Sequence, residues 1–278
     1  MAMVSTEQMN KSFLDEYNSP DAVLKYSTET AGHGINYLIR HEYARVYNNA
    51  IDACLETSTA PLRVLEFGCG AGMNLIGLVS LLRERGIALA QALGTDFSLT
   101  LIESAKREAR AYLPASQLQK VSFHVARNER LAAELAMSTG TKPDALHASF
   151  DFIFGVNTFR YCHRFGTQHD CANDILRLLR SGGVCVMIDM NDRFPLFRSK
   201  LKGTAATAEE AYLPSLEEYA SPFERAGFQL LAKGNFCWVP HSAGRALTTL
   251  CRSLTPMLNA TLRSRAMRSL VVARKPVK

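Results

Sequence analysis

The chain has 278 residues, of which 47% are hydrophobic, and it carries a formal net charge of +6. This length and hydrophobic content predict a single α/β domain over residues 1–278. No run of about 18 uncharged apolar residues occurs, so we expect no membrane-spanning helix. The first 17 residues lack the basic start and apolar block of a signal peptide, and the seven cysteines form no CxxC pair. We therefore expect a cytoplasmic protein with free thiols.

The positive charge is concentrated near the C-terminus. From Arg193 onward there are fourteen Lys or Arg residues against five Asp or Glu residues. Such a segment is typical of contact with nucleic acid, with an anionic membrane surface or with a phosphorylated substrate. It is equally typical of a solvated helical face, and composition alone does not separate these interpretations.

In chain order, the first long pattern is a helix. Apolar residues recur at three- and four-residue steps over residues 35–55, which is the spacing of an amphipathic helix. Residues 63–67 then form a short apolar run with a β-branched valine, which predicts a buried strand. A second apolar-periodic run over residues 73–82 predicts a helix.

Three glycines at alternate positions, Gly68, Gly70 and Gly72, join this strand to this helix. A ligand can lie against such a turn because glycine has no Cβ and tolerates positive φ. The helix start also offers unpaired N–H groups and a positive dipole end. Dinucleotide-binding and S-adenosylmethionine-binding folds share this turn. Here the third glycine is one position too early for the G-x-G-x-x-G pattern, and Glu66 precedes the first glycine by two positions, which favours the second class.

The rest of the chain alternates strands with helices, which predicts a parallel sheet with right-handed crossovers. We expect a loop over 157–165, a turn over 180–183 and an irregular insertion over 193–213 that covers the active site. The further predicted strands are 92–95, 121–125, 150–156, 184–190, 227–236 and 266–273, and the further helices are 99–111, 171–179, 216–226 and 241–262, the last broken at Pro256.

Four motifs in order resemble class I S-adenosylmethionine-dependent methyltransferases, over about residues 60 to 275. They are Glu66-Phe67-Gly68-Cys69-Gly70-Ala71-Gly72, the fourth-strand run Phe150-Asp151-Phe152-Ile153-Phe154, the segment 178–184 leading to the fifth strand, and the helix and strand entry over 216–228, which is common in the small-molecule branch.

The resemblance implies a doubly wound, mostly parallel seven-stranded sheet with its last strand antiparallel. It also implies an N-terminal helical lid (1–58), a cofactor-binding core (59–191), a small cap insertion (192–213) and a C-terminal part of the sheet and helices (214–278).

The resemblance further implies a cofactor, S-adenosylmethionine, with S-adenosylhomocysteine as product. Asp96 would accept both ribose hydroxyls, because a carboxylate has two acceptor oxygens and a diol has two donors. Asn128, or Glu129 one position later, would border the adenine amino edge. Plain helix capping remains an alternative for Asp96 and Asn128. The implied cofactor-binding residues are Tyr26, Glu66, Gly68, Cys69, Gly70, Gly72, Asn74, Asp96, Phe97, Asn128 and Asn157.

Methyl transfer needs alignment of donor and acceptor and, for some acceptors, removal of a proton. Candidates lie where strands end, since ligands bind there in open α/β sheets. We predict His163 and His241 as bases, and Arg160 as a clamp for a carboxylate or phosphate. A surface arginine and helix-start histidines are the structural alternatives. Tyr161, Trp238 and Tyr37 complete the predicted acceptor site, with a core role as the alternative for Trp238.

The predicted function is methyl transfer to O, N or C of a small-molecule metabolite, in the biosynthesis of a secondary metabolite or a saccharide-type product. The partner is this acceptor, and the protein is a monomer or homodimer. No metal is expected, because the His and Cys spacings match no common zinc pattern. A nucleic-acid methyltransferase is the alternative, although residues 157–160 (Asn-Thr-Phe-Arg) lack the prolines that often follow the fourth strand in base-flipping enzymes. A non-catalytic cofactor-binding subunit is a third possibility.

Overall fold

The computed structural model of the protein describes residues 41–195, 213–240 and 243–277. The predicted site residues Tyr26, Tyr37 and His241 lie outside the described residues, as do the first 40 residues of the expected lid and residues 196–212 of the expected insertion. Within the described ranges, no helix is both long enough and apolar enough to cross a membrane.

Strands and helices alternate along most of the described chain. The strands are β1 (Leu62–Phe67), β2 (Leu89–Asp96), β3 (Val121–Val125), β4 (Phe150–Val156), β5 (Leu179–Met190), β6 (Gln229–Phe236) and β7 (Arg268–Arg274). The helices are α1 (His41–Leu55), α2 (Met73–Glu84), α3 (Leu99–Tyr112), α4 (Ala115–Leu118), α5 (Leu131–Thr139), α6 (Pro143–Leu146), α7 (Phe159–Arg164), α8 (Gln168–Leu178), α9 (Leu216–Ala226) and α10 (Arg245–Leu262).

The strands form one seven-stranded sheet in the order β3-β2-β1-β4-β5-β7-β6. Neighbouring strands run parallel from β3 to β5, and β7 runs antiparallel to both β5 and β6. This arrangement confirms the predicted fold class. The strand order reverses between β1 and β4, and open α/β sheets bind ligands at the carboxyl ends of the strands beside such a reversal.

Helices cover both faces of the sheet, which explains the nearly continuous apolar strands. Every residue of β4 is buried. Its Phe152 and Phe154 pack with Tyr47 of α1 on one face, while Ile153 packs with Ile175 of α8 on the other. A strand buried on both faces has no solvent-facing side, so an apolar run is expected in place of an alternating pattern.

A polar contact fastens α1 to the amino-terminal edge of the sheet. The Arg180 Nε group pairs with Asp151 Oδ1, and its Nη1 and Nη2 groups donate to Thr57 Oγ1 at 3.0 Å and to the Cys54 carbonyl at 3.2 Å. Asp151 Oδ2 also accepts the Arg63 backbone N–H at 2.7 Å. This contact therefore holds α1, β1, β4 and β5 together.

Three local predictions were wrong. The expected turn over 180–183 is a bulge inside β5, because the pairing passes from Phe150–Leu179 directly to Phe152–Val184. The expected loop after β4 contains a short helix, α7. Helix α10 continues through Pro256, whose position is exposed, so water can bond the carbonyl that proline leaves without its N–H partner.

We predict that Arg180→Met lowers the free energy of unfolding by about 2–4 kcal/mol, because it leaves the buried Asp151 carboxylate without its cation. Urea denaturation measures this change. The control is Arg177→Met. The Arg177 side chain is 66% exposed, and its Nη1 atom lies 3.9 Å from Asp174 Oδ1, so we expect a change below about 1 kcal/mol there. Equal effects in the two variants would contradict a structural role for the Arg180 contact.

Candidate cofactor and acceptor site

The glycine turn between β1 and α2 meets two different surroundings. A Cβ atom on Gly68 would lie 2.1 Å from Thr158 Oγ1, whereas a Cβ atom on Gly70 would meet nothing within 4 Å. Both residues have positive φ, of 63° and 53°. Gly68 is thus required by the close approach of the segment after β4. Gly70 presents bare backbone to open space, as a turn that receives a ligand should.

Asp96, at the end of β2, is bonded to this turn. Its Oδ2 atom accepts the Gly70 N–H at 3.0 Å, and its Oδ1 atom accepts the Ser98 N–H at 2.9 Å. The residue is 6% exposed, and burial raises the pKa of its carboxyl from 3.8 to about 6, against the opposing effect of the backbone N–H groups of Ser98, Gly70 and Phe97. A carboxylate has about four lone-pair sites, so its oxygens keep acceptor capacity beyond these N–H groups, which suits a ligand diol.

Glu66 is fully buried beneath the same turn. Its Oε1 atom accepts the Asn74 side-chain amide at 3.2 Å, while its Oε2 atom has no hydrogen-bond partner among the described residues. Burial raises the pKa of the Glu66 carboxyl well above its ordinary value, although the Asn74 amide and the Leu75 backbone N–H oppose this rise. An unsatisfied buried carboxylate oxygen is costly. A ligand cation reaching Oε2 would remove this cost, so the residues present fit the ammonium group of S-adenosylmethionine.

The other predicted cofactor residues lie along the same edge. Cys69 is buried in the turn, and Phe97 is half-buried directly after Asp96. The Asn128 side-chain amide donates to Thr158 Oγ1 at 2.7 Å, so Asn128 ties the end of β3 to the segment after β4. Its predicted place at the adenine edge stays a prediction.

On the other side of the strand reversal, Asn157 follows β4 in the left-handed conformation, with φ of 57°. Its Oδ1 atom accepts the Nη1 group of Arg268 at 2.8 Å. Arg268 is 6% exposed and stands at the start of β7. Positive φ at a non-glycine residue is held by its surroundings and is frequent at functional sites.

Arg160 and Tyr161 lie together at this edge, and Arg160 is not a surface side chain. It is 8% exposed. Its backbone N–H donates to Asp189 Oδ2 at 3.1 Å, its Nε atom lies 3.3 Å from Asp189 Oδ1, and its Nη2 group donates to the Tyr161 hydroxyl at 2.7 Å. Burial raises the pKa of the Asp189 carboxyl, and the charges of Arg160 and Arg268 oppose this rise.

His163, one turn after Arg160, packs among aromatic rings. Its ring lies 5.2 Å from that of Phe159 and 6.0 Å from that of Tyr219, measured between centroids. Burial lowers the pKa of the His163 imidazole to about 4. The imidazole is therefore neutral at pH 7.

The predicted aromatic wall after β6 makes contacts with neighbouring helices. The Trp238 indole N–H donates to Asn259 Oδ1 of α10 at 2.8 Å. The Phe236 ring lies 5.3 Å from the Tyr43 ring of α1. The role of Trp238 toward an acceptor stays a prediction.

The sequence interpretation gave no role to Asp189 and missed Arg268 as a site residue. Asp189 ends an apolar strand, and that position was a usable signal. No local sequence signal indicated Arg268, because only the antiparallel pairing of Met190 with Arg268 brings this arginine to the ligand edge. Among the described residues, no cluster of three or more His, Cys, Asp or Glu side chains could hold a metal ion.

A family model described as "Methyltransferase domain" matches residues 58–233. Similar folds occur in an S-adenosylmethionine-dependent methyltransferase from Mesorhizobium loti (TM-score 0.51, 19% identity, 80% of this chain and 96% of that chain). A second is an S-adenosylmethionine-dependent methyltransferase from Methanosarcina mazei (TM-score 0.53, 15% identity, 78% of this chain and 94% of that chain). A third is geranyl diphosphate methyltransferase in complex with GPP and sinefungin (TM-score 0.51, 15% identity, 82% of this chain and 77% of that chain). At these identities the likeness shows the fold. No curated protein matches the chain by sequence.

We predict that the stability difference between the wild type and Asp96→Asn depends on pH. The folded pKa of Asp96 is raised, so between pH 4 and 6 the folded state binds more protons than the unfolded state, and stability falls as the pH rises. The wild type should therefore lose up to about 3 kcal/mol relative to Asp96→Asn, which does not titrate, between pH 4 and 7. Urea denaturation of both proteins across this range measures the difference, and a constant difference would contradict the raised pKa.

Proposed function

The chain belongs to the methyltransferase family whose domain spans residues 58–233, and from this premise we propose that it transfers a methyl group from S-adenosylmethionine to a small-molecule acceptor. The observation that carries the cofactor assignment is the buried Glu66 Oε2 atom, which has no hydrogen-bond partner among the described residues and lies beside a turn whose Gly70 faces open space. The sinefungin bound to geranyl diphosphate methyltransferase supports a related ligand here.

The proposed cofactor residues answer the chemistry of S-adenosylmethionine group by group. Glu66 holds the ammonium, Asp96 accepts the ribose diol, and the N–H groups at the start of α2 face the carboxylate. Phe97 and Asn128 border the adenine. When bound, S-adenosylmethionine supplies a methyl group already activated on a sulfonium.

The protein's contribution is then mainly the alignment of donor and acceptor, which is worth about 7–11 kcal/mol in well-oriented reactions.

We place the acceptor at the edge formed by Asn157, Arg160, Tyr161 and Arg268. His163 is the proposed base. The His163 imidazole, with a pKa of about 4, is a weak base at pH 7. It therefore suits an acceptor that is already acidic, or one that is methylated without loss of a proton.

The charge pattern supports a small acceptor over nucleic acid. Several basic residues of the C-terminal third are paired within the protein: Lys233 with Glu217 and Glu224 at 2.7 and 3.5 Å, Arg274 with Glu56, and Arg252 with Glu42 at 3.4 Å. Each pair reduces the positive charge available to a phosphate backbone. We therefore propose a metabolite acceptor.

The cysteines support a reducing compartment, and we propose the cytoplasm. All seven cysteines fall within the described residues, and none forms a disulfide. Burial raises the pKa of several of these thiols, Cys185 among them, which makes them inert.

We predict that the protein binds S-adenosylhomocysteine and that Asp96→Ala weakens this binding by about 100-fold or more, because two hydrogen bonds to a charged acceptor are lost. Isothermal titration calorimetry at pH 7.5 measures the affinity. The matched control is Glu103→Gln, which removes an exposed carboxylate from α3 and should leave the affinity unchanged.

If the wild type does not bind S-adenosylhomocysteine, or if Asp96→Ala binds it as well as the wild type does, the cofactor assignment is wrong.

A separate experiment identifies the class of acceptor: a radiolabelled methyl screen of cell extract that is fractionated into small molecules, RNA and protein. Label that enters RNA, together with salt-sensitive retention on RNA, would favour the nucleic-acid alternative.

A further inference from the structure

Helix α10 exposes a row of large apolar side chains. Leu247, Leu250, Leu254 and Met257 are 46%, 56%, 38% and 56% exposed. Their spacing of three, four and three residues places them in one line along the helix, and we call them the α10 stripe. This is the a/d spacing of a two-helix seam, which is narrower than the face that a surface helix turns toward a core.

Among the described residues, the protein's own core does not use this stripe. The side of α10 nearest the core is formed by Thr248, Cys251, Thr255 and Leu258, which are only half-buried, and every residue of α10 is at least partly exposed. The helix is held through polar contacts as well, from Trp238 to Asn259 and from Arg252 to Glu42. The stripe therefore lies to one side of the attachment and is available to another helix.

The flanks of the stripe carry no charge. The two arginines of α10, Arg245 and Arg252, are seven residues apart and lie on the side of the helix opposite the stripe. The helix contains no acidic residue. One flank repeats small side chains at seven-residue intervals, Ala246, Ser253 and Ala260, which allow a second helix to come close.

We propose that the α10 stripe is a homodimer seam, in which it packs antiparallel against the same stripe of a second copy. Leu247 then faces the partner's Met257, and Leu250 faces the partner's Leu254. The contact is self-complementary about a two-fold axis, as an isologous interface must be. Two copies with a net charge of +6 each can approach here because the arginines point away from the seam.

The same placement disfavours charged occupants. Residues 1–40 contain five acidic and three basic residues, and an anionic bilayer is negative too. At the stripe, the N-terminal segment and a bilayer would each meet uncharged flanks. Neither would be attracted by the two arginines, which lie on the far side of the helix. A second copy needs no charge complement, so it suits the stripe best.

The proposed contact is small. The stripe spans about 16 Å of helix, and a pair of such stripes buries less than the roughly 1,600 Å² of a standard interface. We therefore expect a weak dimer that is populated at high protein concentration.

Sedimentation velocity of the full chain between 1 and 200 μM tests the seam. The wild type should pass from monomer to dimer, while Leu250→Glu/Leu254→Glu should stay monomeric over the whole range. The matched control is Met137→Glu/Leu231→Glu, which adds the same charge at apolar side chains that are 73% and 37% exposed on other elements; it should dimerise like the wild type. Circular dichroism melts confirm that both variants fold.

Disulfide trapping tests the antiparallel register. In that register Ser253 lies beside the partner's Ser253, so Ser253→Cys in a Cys251→Ser background should form covalent dimers under mild oxidation. Arg245→Cys in the same background, also exposed but on the side of the helix opposite the stripe, should not.

A wild type that is monomeric at 200 μM overturns the proposal, and so does a dimer that survives Leu250→Glu/Leu254→Glu. If the wild type is monomeric and removal of residues 1–40 produces a dimer, the stripe is covered by the chain's own N-terminal segment. If the monomer instead sediments with vesicles of phosphatidylglycerol, the stripe is a lipid-binding surface. Both results overturn the homodimer. None of these outcomes depends on the cofactor, which calorimetry tests separately.

Discussion

The hydrogen bond from the Gly70 backbone to the Asp96 carboxylate joins the ends of β1 and β2, and the ligand edge of the sheet is built on that connection. The carboxylate must be buried to reach the turn, and burial raises its pKa. Glu66, in β1, is also buried, and one of its oxygens lacks a hydrogen-bond partner among the described residues. The fold thus keeps two acidic groups where apolar side chains would be more stable. Such an arrangement makes physical sense when a cationic, hydroxyl-bearing ligand completes it.

The half of the edge beyond β4 has the opposite electrostatic character. Arg160 and Arg268 are buried there and face one buried carboxylate, Asp189. Arg268 also holds Asn157 in its left-handed conformation. The two halves of the edge therefore differ in sign, acidic where the cofactor is proposed to lie and basic where the acceptor is proposed to lie. The acidic half would stabilise the positive sulfonium of the donor, and the basic half would stabilise an electron-rich or anionic acceptor.

Sequence patterns predicted the sheet well, because its signals are local. The apolar run of β4 and the glycine turn each show their structure within a few neighbouring residues, and Asp96 follows directly at the end of a strand. The site beyond β4 was harder, since Arg268 reaches Asn157 through the pairing of strands far apart in sequence. The bulge over 180–183 was missed for a similar reason: Arg180 pairs with Asp151, 29 residues away, and no local pattern records that contact.

Helix α1 runs from one edge of the sheet to the other. Near its end, Thr57 and Cys54 meet Arg180 at the amino-terminal edge, while near its start Tyr43 packs on Phe236, where β6 finishes at the ligand edge. The described chain thus enters the domain at the carboxyl edge, on the side of β6, and crosses to the amino edge before β1 returns it to the ligand edge. A change in the tilt of α1 would therefore be felt at both edges of the sheet at once.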